Sequence, residues 1–584
     1  MIYSTLAIED AEFYHHPGFS LKGIIRAIIV NLETGKTIGG STITQQLGKN
    51  AVLSSEKTYL RKLREVILAV RIEAAYSKDE ILQMYLNEVS YGNSAYGVEE
   101  AAHVYFGKRA QDLSLGEAAL LAGLPKGPTR FSPYGANPQL AKTRQEEILD
   151  LMVANNFISP ETAEQAKLEN LEFAPHQTYI QAPHFVMYVK SLLVDQFGEE
   201  KVENGGLEVY TTLDLGIQKM AEQAVETEID KLSRLHVTNG ASLVLNPKTG
   251  EILAMVGSKD YFNLEEDGNV NVVLRPRSPG SSIKIVTYSY ALAHGMTPAT
   301  AISDTPLTIP LAGQPDYVPK NYDGTFKGNL TLRSAFAQSR NIPAVRVITT
   351  YGVEQIRSWG EQLGITTWAD KNRFGPSLTL GGGEVTLLDL ARVYTTFANF
   401  GKQPEILAIA KVVDPNKKTI LQHSCLFSVN IPCLGSQIIS PAVAYQIIDI
   451  LKDNPARTPA FGSRSALVVP GHPEVAVKTG TSNDLRDNLT VGFNQDYLIA
   501  VWVGNNDNSQ MSRVASGVTG ASPIWNQIMS NLLANTASRE WNIPEGLKQA
   551  KVCGKDEWFL ENSEVPAYCP LGTPRPSASP TPTP

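Results

Sequence analysis

The first quarter of the chain carries apolar side chains at helical spacing. Across 59–76 they recur every three or four positions, which predicts a half-buried helix. The positions expected on its buried face are Leu60, Leu63, Ile67, Val70 and Ala74. Ser77 and Glu80 then have the spacing of a capping box and predict the start of the next helix. This part of the chain is therefore predicted to form a helical domain.

The pattern changes near Gly206, where apolar and polar residues begin to alternate with a period of two. Residues 241–258 form two apolar runs joined by Asn-Pro-Lys-Thr-Gly, which predicts a β-hairpin. Strand-like runs return later, with helical segments between them, at 476–480, 489–493 and 497–504. This mixture predicts an α+β domain built on an antiparallel sheet.

These patterns divide the chain into four parts. We expect a helical domain over 1–150, a linker region over 151–235 that is punctuated by prolines such as Pro160 and Pro183, the α+β domain over 236–545 and a C-terminal segment over 546–584. The last twelve residues contain five prolines and no apolar face, so the chain is predicted to end in a disordered tail.

Composition narrows the class of protein. The 584 residues carry 51 Lys and Arg against 59 Asp and Glu, a net charge of −8, which argues against binding nucleic acid through overall basicity. A hydrophobic content of 42% excludes a wholly disordered chain. Four cysteines are too few for a disulfide-built scaffold. No apolar run reaches the ~18 residues that would predict a membrane-spanning helix.

Three short motifs in the second half carry chemistry. They are Ser281-x-x-Lys284, Ser339-x-Asn341 and Lys478-Thr479-Gly480. If Ser281 begins the apolar helix that follows it, Lys284 lies on the same face. Its amine can then take the serine proton, provided that burial and nearby cations lower its pKa. Each motif alone is as easily structural as functional, but the three in this order favour a serine acyl-transfer site.

The order of these motifs and the sequence around them resemble the transpeptidase domain of penicillin-binding proteins. The resemblance extends over segments such as GGLEVYTTLD, LGGGEVTLLDLARVYTTFAN and VKTGTSNDLRDNLTVGF. It implies that Ser281 is the nucleophile acylated by the penultimate D-Ala of a stem peptide, with Lys284 as its base. Ser339 would relay a proton towards the leaving amine, and Asn341 would orient the substrate amide.

The third motif is implied to bind the substrate. Lys478 would hold the site positive and bind the terminal carboxylate, helped by the hydroxyls of Thr479 and Thr481 on either side of Gly480. The backbone N–H groups of Ser281 and Thr481 would form the oxyanion hole.

A second, unrelated signature lies in the first half. Its pieces are Ile8–Gly18, Gly39–Asn50, Arg61–Glu65 and Lys78–Asn87. The series resembles the peptidoglycan glycosyltransferase domain, a lysozyme-like helical fold that polymerises lipid II into β-1,4 glycan strands. Both halves together resemble the class A penicillin-binding proteins, which are bifunctional peptidoglycan synthases. The expected fold is multidomain: an α-helical lysozyme-like glycosyltransferase domain, then an α+β penicillin-binding domain with an antiparallel sheet.

Glycosyl transfer needs a base for the acceptor hydroxyl and stabilisation of a leaving diphosphate. By resemblance, Glu9 is the base and Glu65 assists near the diphosphate. The residues implied to bind the polar substrate are Asp10, Phe13, His16, Thr42, Gln45, Gln46, Lys49, Asn50, Arg61 and Lys62. Without the resemblance, the cations in this set fit a solvated helix face, and its threonine and amides fit a helix cap equally well.

The resemblance implies no cofactor for transpeptidation and no metal site built by the protein. For glycosyl transfer it allows a divalent cation, Mg²⁺ or Mn²⁺, bound to the leaving diphosphate. The implied partners are lipid II, nascent glycan strands and stem peptides, with β-lactams as covalent inhibitors. Both catalytic domains would lie outside the cytoplasm at a bacterial cell membrane, held by an N-terminal anchor that this chain lacks.

That compartment permits disulfides. Cys425 with Cys433, and Cys553 with Cys569, would each close a short loop. Spacing alone leaves three connectivities open, and free thiols as well.

Two other functions stay open at this point. The serine site fits a D,D-carboxypeptidase or a β-lactam-hydrolysing enzyme equally well, because the motifs do not distinguish an amine acceptor from water. The glycosyltransferase half, which has only eight residues before Glu9, fits an inactive scaffold.

Overall fold

The computed structural model divides the chain into two compact units, Met1–Gln181 and Ala182–Pro584. The residues that it describes are 1–19, 41–52, 59–93, 95–128, 130–134, 138–174, 180–311, 313–371, 373–427, 433, 435–482, 484–512, 519–567, 569 and 571. The division falls inside the region predicted as a linker.

Unit 1 is helical, as predicted. Its helices are Ile2–Glu9, Ile43–Val52, Tyr59–Ala75, Lys78–Glu88, Val98–Phe106, Leu115–Gly123, Gln139–Ala154 and Pro160–Leu168, with 3-10 turns at Phe13–His15 and Ala110–Asp112. One hairpin pairs β1 (Ser90–Gly92) with β2 (Ala95–Tyr96). The predicted capping box is confirmed: the side chains of Ser77 and Glu80 each accept from the other's backbone N–H.

The helix Tyr59–Ala75 confirms the predicted element but not its predicted buried face. Ile67 is 50% exposed and Val70 is 44% exposed, whereas Glu65 and Ala69 are buried. The face that packs into the unit carries the carboxylate of Glu65, so the most apolar stripe of this helix is not its buried face.

Unit 2 is built on a five-stranded antiparallel sheet, as predicted, in the order β14-β15-β16-β4-β5. The strands are β4 (Asn239–Leu245), β5 (Ile252–Val256), β14 (Ala476–Thr481), β15 (Asp487–Phe493) and β16 (Leu498–Gly504). Helices Leu215–Leu232 and Ala521–Leu533 cover one face of the sheet with apolar side chains. A larger helical layer that includes Lys284–Ala293 packs on the other face. Both faces are buried, as expected of a sheet at the centre of a domain.

The other elements of unit 2 surround this sheet. The remaining helices are Pro183–Phe197, Glu199–Asn204, Leu332–Ala337, Asn341–Tyr351, Val353–Gln362, Leu387–Ala398, Pro441–Lys452 and Asn454–Phe461. Short 3-10 turns lie at Ser233–Leu235, Leu264–Glu266, Val272–Leu274, Gly280–Ile283, Pro376–Leu380 and Ser424–Leu426.

Small sheets complete the unit. β3 (Glu208–Thr211) joins β11 (Ile409–Val413) and β12 (Thr419–Gln422) in a three-stranded sheet. Two-stranded pairs form between β6 (Ala301–Asp304) and β9 (Gly328–Thr331), β7 (Ile309–Leu311) and β8 (Gln314–Tyr317), β10 (Lys402–Gln403) and β13 (Ser436–Gln437), and β17 (Leu547–Val552) and β18 (Lys555–Leu560).

The structure corrects the prediction of a linker over 151–235. Ala163 and Ala166 of one of its helices are buried in unit 1, and the helix Leu215–Leu232 packs on the sheet of unit 2. The prolines that suggested a linker begin helices instead, because Pro160 and Pro183 occupy first-turn positions where no backbone N–H is needed.

Both cysteine pairs are disulfide-bonded, Cys425 to Cys433 and Cys553 to Cys569. The second disulfide joins the hairpin β17–β18 to the chain that follows it. The predicted proline-rich tail, from 572 onwards, lies outside the described residues. Among the helices that the structure describes, none has the length and hydropathy required to cross a bilayer.

Gly492 tests the packing of the central sheet. A Cβ at this position in β15 would lie 2.4 Å from Cζ2 of Trp525. We expect Gly492→Ala to destabilise the protein by about 1–3 kcal/mol through overpacking, measured as a lower Tm of the unit 2 transition. Gly375→Ala is the matched control, because a Cβ there meets nothing within 4 Å. Equal melting of the two variants would contradict this packing.

Candidate functional site

The nucleophile turn of unit 2 is the 3-10 segment Gly280–Ile283, and the α-helix that follows begins at Lys284. Two hydrogen bonds fix the turn: Ser282 Oγ donates to the Pro279 carbonyl at 2.6 Å, and the Tyr394 hydroxyl donates to the Ser282 carbonyl at 2.7 Å. Ser281 stays half-buried while Ser282 is fully buried. The turn therefore leaves Ser281 partly accessible on a rigid backbone.

Two glycines allow the turn to pack directly against β14. Gly280 has a φ of +51°, and a Cβ there would lie 2.4 Å from the Thr481 carbonyl oxygen. A Cβ at Gly480 would lie 2.2 Å from the Pro279 carbonyl oxygen. Any side chain would push the backbones apart. The first and third motifs are thus brought together by close backbone contact.

Lys284 is fully buried, and its amine faces the second motif. Its Nζ donates to the carbonyl of Ser339 at 2.7 Å, to the carbonyl of Arg340 at 3.0 Å and to Oδ1 of Asn341 at 2.7 Å. Burial, followed by the positive charges of Lys478 and Arg340, lowers the pKa of Lys284 well below its ordinary value. A lysine in these surroundings can be neutral and act as a base.

Lys478 approaches the same loop from β14. Its Nζ donates to Oγ of Ser339 at 2.7 Å and to the carbonyl of Thr479 at 2.8 Å. Burial lowers the pKa of Lys478 to about 7. Ser339 therefore lies between two buried amines, bonded to Lys478 through its hydroxyl and to Lys284 through its carbonyl. The three motifs predicted from the sequence meet at one site.

The loop that carries Ser339 is conformationally strained. Ser339 has a φ of +60°, a left-handed conformation that costs a non-glycine residue about 1 kcal/mol or more. The backbone N–H groups of Ser339 and Arg340 donate to the carbonyls of Phe336 and Ala335 at the end of the preceding helix. These bonds hold the loop against its strain.

A buried network that no sequence motif predicts lies behind this loop. Asp304 accepts from Nε of Arg340 at 2.9 Å and from Nδ2 of Asn321 at 2.7 Å. Oδ1 of Asn321 in turn accepts from the backbone N–H of Asn341 at 2.9 Å. Arg340 is the middle residue of the second motif. Asp304 and Asn321 lie in no motif, and only the fold brings them to the loop.

The two threonines of the third motif differ in exposure. Thr479 is buried and contributes its carbonyl to Lys478. Thr481 is half-buried, and its Oγ1 accepts from Nδ2 of Asn488 at 3.2 Å. Of the two hydroxyls predicted to bind the substrate carboxylate, that of Thr481 is the more accessible.

In unit 1, Glu9 ends the first helix and lies among polar side chains. Its Oε2 accepts from Nε2 of Gln46 at 2.7 Å, and Oε1 of Gln46 accepts from the Tyr85 hydroxyl at 3.5 Å. Burial, with the negative charge of Glu9 nearby, raises the pKa of Tyr85 and of Tyr91 above the ordinary value. The predicted base thus adjoins one predicted residue, Gln46, and two tyrosines that no motif had singled out.

Two residues of unit 1 that were predicted to bind substrate form a helix cap. Oε1 of Gln45 accepts from the Thr42 backbone N–H at 3.0 Å, and Oγ1 of Thr42 accepts from the Gln45 backbone N–H at 3.2 Å. Both side chains are buried. The structure therefore shows the helix cap that was the alternative for this pair, and the contact with substrate stays a prediction.

Three further residues predicted to contact the substrate follow Glu9 in sequence. Phe13 is fully buried, with the Lys78 amine 4.5 Å from its ring centroid. Asp10 accepts from the Ile43 backbone N–H at 3.1 Å and contacts Nε2 of His16 at 3.0 Å. These contacts order the backbone that follows Glu9, and direct binding of substrate by these three residues stays a prediction.

The structure describes only some of the residues predicted to act near the diphosphate. Lys49 is exposed at the end of its helix, and Glu65 is buried on the next one. The side chains of Asn50, Arg61 and Lys62 lie outside those described. In the described part of the chain, no group of three His, Cys, Asp or Glu side chains is arranged to hold a metal ion.

Comparison with known proteins agrees with both sites. The Transglycosylase family matches residues 1–153, and the family of the penicillin binding protein transpeptidase domain matches residues 240–530. Penicillin-binding protein 1A of Neisseria lactamica is 31% identical over 96% of this chain and 82% of its own length. The chain belongs to the class A penicillin-binding proteins.

Solved structures agree at the level of the fold. The crystal structure of penicillin-binding protein 1A from Haemophilus influenzae has a TM-score of 0.62 at 22% identity, covering 90% of this chain and 94% of that one. The PonA1 protein from Mycobacterium tuberculosis in complex with penicillin V has a TM-score of 0.52 at 22% identity, covering 62% and 96%. As a class A penicillin-binding protein with both domains, the chain is a bifunctional peptidoglycan synthase with glycosyltransferase and D-Ala-D-Ala transpeptidase activity.

The buried amines of this class A penicillin-binding protein predict how acylation by penicillin depends on pH. Lys284 must be neutral to accept a proton, and its pKa lies well below 10.5. We expect the acylation rate to reach its plateau far below pH 10.5 and to fall as Lys284 becomes protonated at lower pH. Stopped-flow measurement with a fluorescent penicillin across pH would check this.

Lys284→Arg is the sharpest variant for the same claim. It keeps a cation but cannot lose its proton near neutral pH, so acylation should be lost at every pH tested. Lys231→Arg, at an exposed lysine paired with Glu228, is the control. Acylation of Lys284→Arg at the rate of the parent would contradict the role of a neutral Lys284.

Proposed function

We propose that unit 2 crosslinks stem peptides through an acyl-enzyme on Ser281. The observation that carries the proposal is the buried amine of Lys284. Lys284 lies three residues after Ser281, and its amine is hydrogen-bonded to the Ser339–Asn341 loop. Ser281 Oγ attacks the carbonyl carbon of the penultimate D-Ala while Lys284 takes its proton. The C–N bond to the terminal D-Ala then breaks, and that residue leaves as an amine protonated through Ser339.

Transfer to the acceptor reverses these steps. The amine of a second stem peptide attacks the ester carbon, loses a proton to the same basic groups and restores the Ser281 hydroxyl. Lys478, bonded to Ser339 Oγ, supports the proton relay and attracts the terminal carboxylate of the donor, with Thr481 beside it. The backbone N–H groups of Ser281 and Thr481 serve as the oxyanion hole.

We also propose that β-lactams acylate Ser281. The support is the fold that unit 2 shares with a structure determined in complex with penicillin V, together with Ser281 and the two buried lysines of this chain.

Ser281→Ala tests the nucleophile directly. Removing Oγ leaves no atom to acylate, so labelling by a fluorescent penicillin should disappear from the gel band of the intact chain. Ser191→Ala, at an exposed serine on the helix Pro183–Phe197 of the same unit, is the control, and its labelling should persist. Full labelling of Ser281→Ala would refute the assignment.

For unit 1 we propose polymerisation of lipid II with Glu9 as the base. Glu9 takes the proton of the acceptor 4-hydroxyl as that oxygen attacks the anomeric carbon and the diphosphate-lipid leaves. Gln46 orients the carboxylate through its 2.7 Å hydrogen bond. Lys49, three residues after Gln46, is exposed, and its positive charge suits the diphosphate. Glu65, Arg61 and Lys62 are proposed to act at the same group.

Glu9→Gln tests this base. The amide keeps the size of the side chain but cannot take a proton, so the rate of glycan polymerisation from lipid II should fall by roughly 10²- to 10⁴-fold, the usual contribution of a general base. The measurement is the amount of glycan polymer formed with time, separated on a gel, with the chain reconstituted in lipid II-containing vesicles. Glu88→Gln, at an exposed position of unit 1, should polymerise normally. Polymer from Glu9→Gln at the parent rate would rule out Glu9 as the base.

A divalent cation is part of the proposal for unit 1 only as a companion of the substrate. Mg²⁺ and Mn²⁺ prefer oxygen ligands, and the donor diphosphate supplies them. Glu9 and Glu65 are the carboxylates that we propose lie near such a cation.

We propose that both units work outside the cytoplasm at a bacterial cell membrane. Two disulfides support an oxidising compartment, and a lipid-linked donor must be met at a membrane surface. We also propose that an anchor holds the chain at this membrane.

A further inference from the structure

The C-terminal hairpin β17–β18 lies beyond residue 530, where the match to the transpeptidase family ends. It is nevertheless part of the core of unit 2. Phe559 is fully buried against Ala299, and Trp558 stacks edge-on against Tyr445 with a centroid distance of 5.9 Å. The Trp558 carbonyl also accepts from Nε2 of Gln446 at 2.8 Å. The hairpin is therefore fixed to the domain by packing on several elements.

Glu557 of this hairpin forms a buried ion pair with Arg333. Its carboxylate accepts from Nε of Arg333 at 2.8 and 2.9 Å and from Nη2 at 2.7 Å. Glu557 is 3% exposed and Arg333 is 4% exposed. Charge-assisted, two-pronged hydrogen bonds of this kind fix orientation as well as distance.

Arg333 has other anionic partners on the opposite side. Nη1 donates to Asp453 at 3.1 Å, and Nη2 donates to Asp449 at the end of the helix Pro441–Lys452. The guanidinium is thus held between the hairpin and that helix. Without Glu557 it would keep two carboxylate partners, so the charge would remain compensated while its orientation changed.

Arg333 lies on the short helix that leads into the catalytic loop. The helix Leu332–Ala337 ends two residues before Ser339, and its Ala335 and Phe336 carbonyls accept from the loop backbone. That loop presents the Ser339 carbonyl and Asn341 Oδ1 to the amine of Lys284. A shift of this helix therefore moves the acceptors around the proposed base.

We propose that the C-terminal hairpin is a positioning element of the transpeptidase site, in which Glu557 acts through Arg333 to hold the Ser339–Asn341 loop against Lys284. The proposal rests on the acyl-enzyme chemistry assigned to Ser281 and Lys284. Glu557 is a positioning residue, because it touches neither substrate nor the reacting atoms.

The pH profile separates positioning from a purely structural role. The charged groups that act on Lys284 are Lys478 from β14, Arg340 from the loop and Asp304 from β6. A displaced loop admits water to the amine and favours its protonated form, so the acidic limb of acylation should move to higher pH. Loss of folded protein lowers the number of active sites and leaves this limb where it is.

The test compares Glu557→Ala, Glu557→Gln and Glu557→Asp in the full chain. The control is Asp556→Asn, the exposed neighbour on the same strand. Acylation by a fluorescent penicillin is measured as a second-order rate per active site across pH, with active sites counted from the labelling end point. For Glu557→Ala we expect a loss on the order of 10- to 100-fold, the cost of ångström-scale misplacement of reacting groups, with the acidic limb shifted upwards. Glu557→Asp, which keeps the charge, should recover part of the rate.

Glycan polymerisation by the same preparations reports on unit 1 and should stay at the parent level. Acylation of Glu557→Ala at the parent rate per site would overturn the proposal. A slower rate with an unshifted pH profile would overturn it as well, because that result assigns Glu557 a structural role alone. The acyl-enzyme assignment is tested separately. It fails if Ser281→Ala, in the otherwise unchanged chain, is still labelled by the fluorescent penicillin.

Discussion

The buried amine of Lys284 is the constraint on which the transpeptidase unit depends. A charged ammonium is costly to remove from water, and two more cations, Lys478 and Arg340, raise that cost. The surrounding chain compensates with three acceptors from one loop. The features that a fold usually avoids, a buried lysine and a second buried lysine beside it, are those that make a base near neutral pH.

Much of unit 2 can be understood as the means of holding that arrangement. Gly280 and Gly480 let the nucleophile turn and β14 meet at backbone distance. Ser339 is held in a left-handed conformation so that its hydroxyl and its carbonyl face different amines. Asp304 compensates Arg340 in the layer behind. Losing the close backbone contact or the conformation of Ser339 would leave the charges in place but change their geometry, and the proposed role of the hairpin that carries Glu557 is to prevent such a change from a distance.

The chemistry was easier to predict from the sequence than its supports. Ser281, Lys284, Ser339, Asn341 and Lys478 stand in short motifs, and the structure brings them together. Asp304, Asn321 and Glu557 are isolated in sequence and acquire meaning only through tertiary contact. In unit 1, the sequence allowed two interpretations of Thr42 and Gln45, and the structure shows the hydrogen bonds of the helix cap. The linker prediction failed because a proline in the first turn of a helix cannot be distinguished in sequence from a proline in a loop. The buried face of the helix at 59–76 was predicted wrongly because Glu65, a charged residue expected to face solvent, is buried.

The state of the two lysines is the claim to which every other part of the mechanism refers. Nitrogen-15 NMR of the side-chain amines, titrated with pH and assigned by comparison with Lys284→Arg, measures it directly. We expect two lysines that titrate far below 10.5, one of them Lys478 at about 7, with the titration of Lys478 displaced when Lys284 is replaced. If all lysine amines titrate near 10.5, the buried neutral base, and the mechanism built on it, is contradicted.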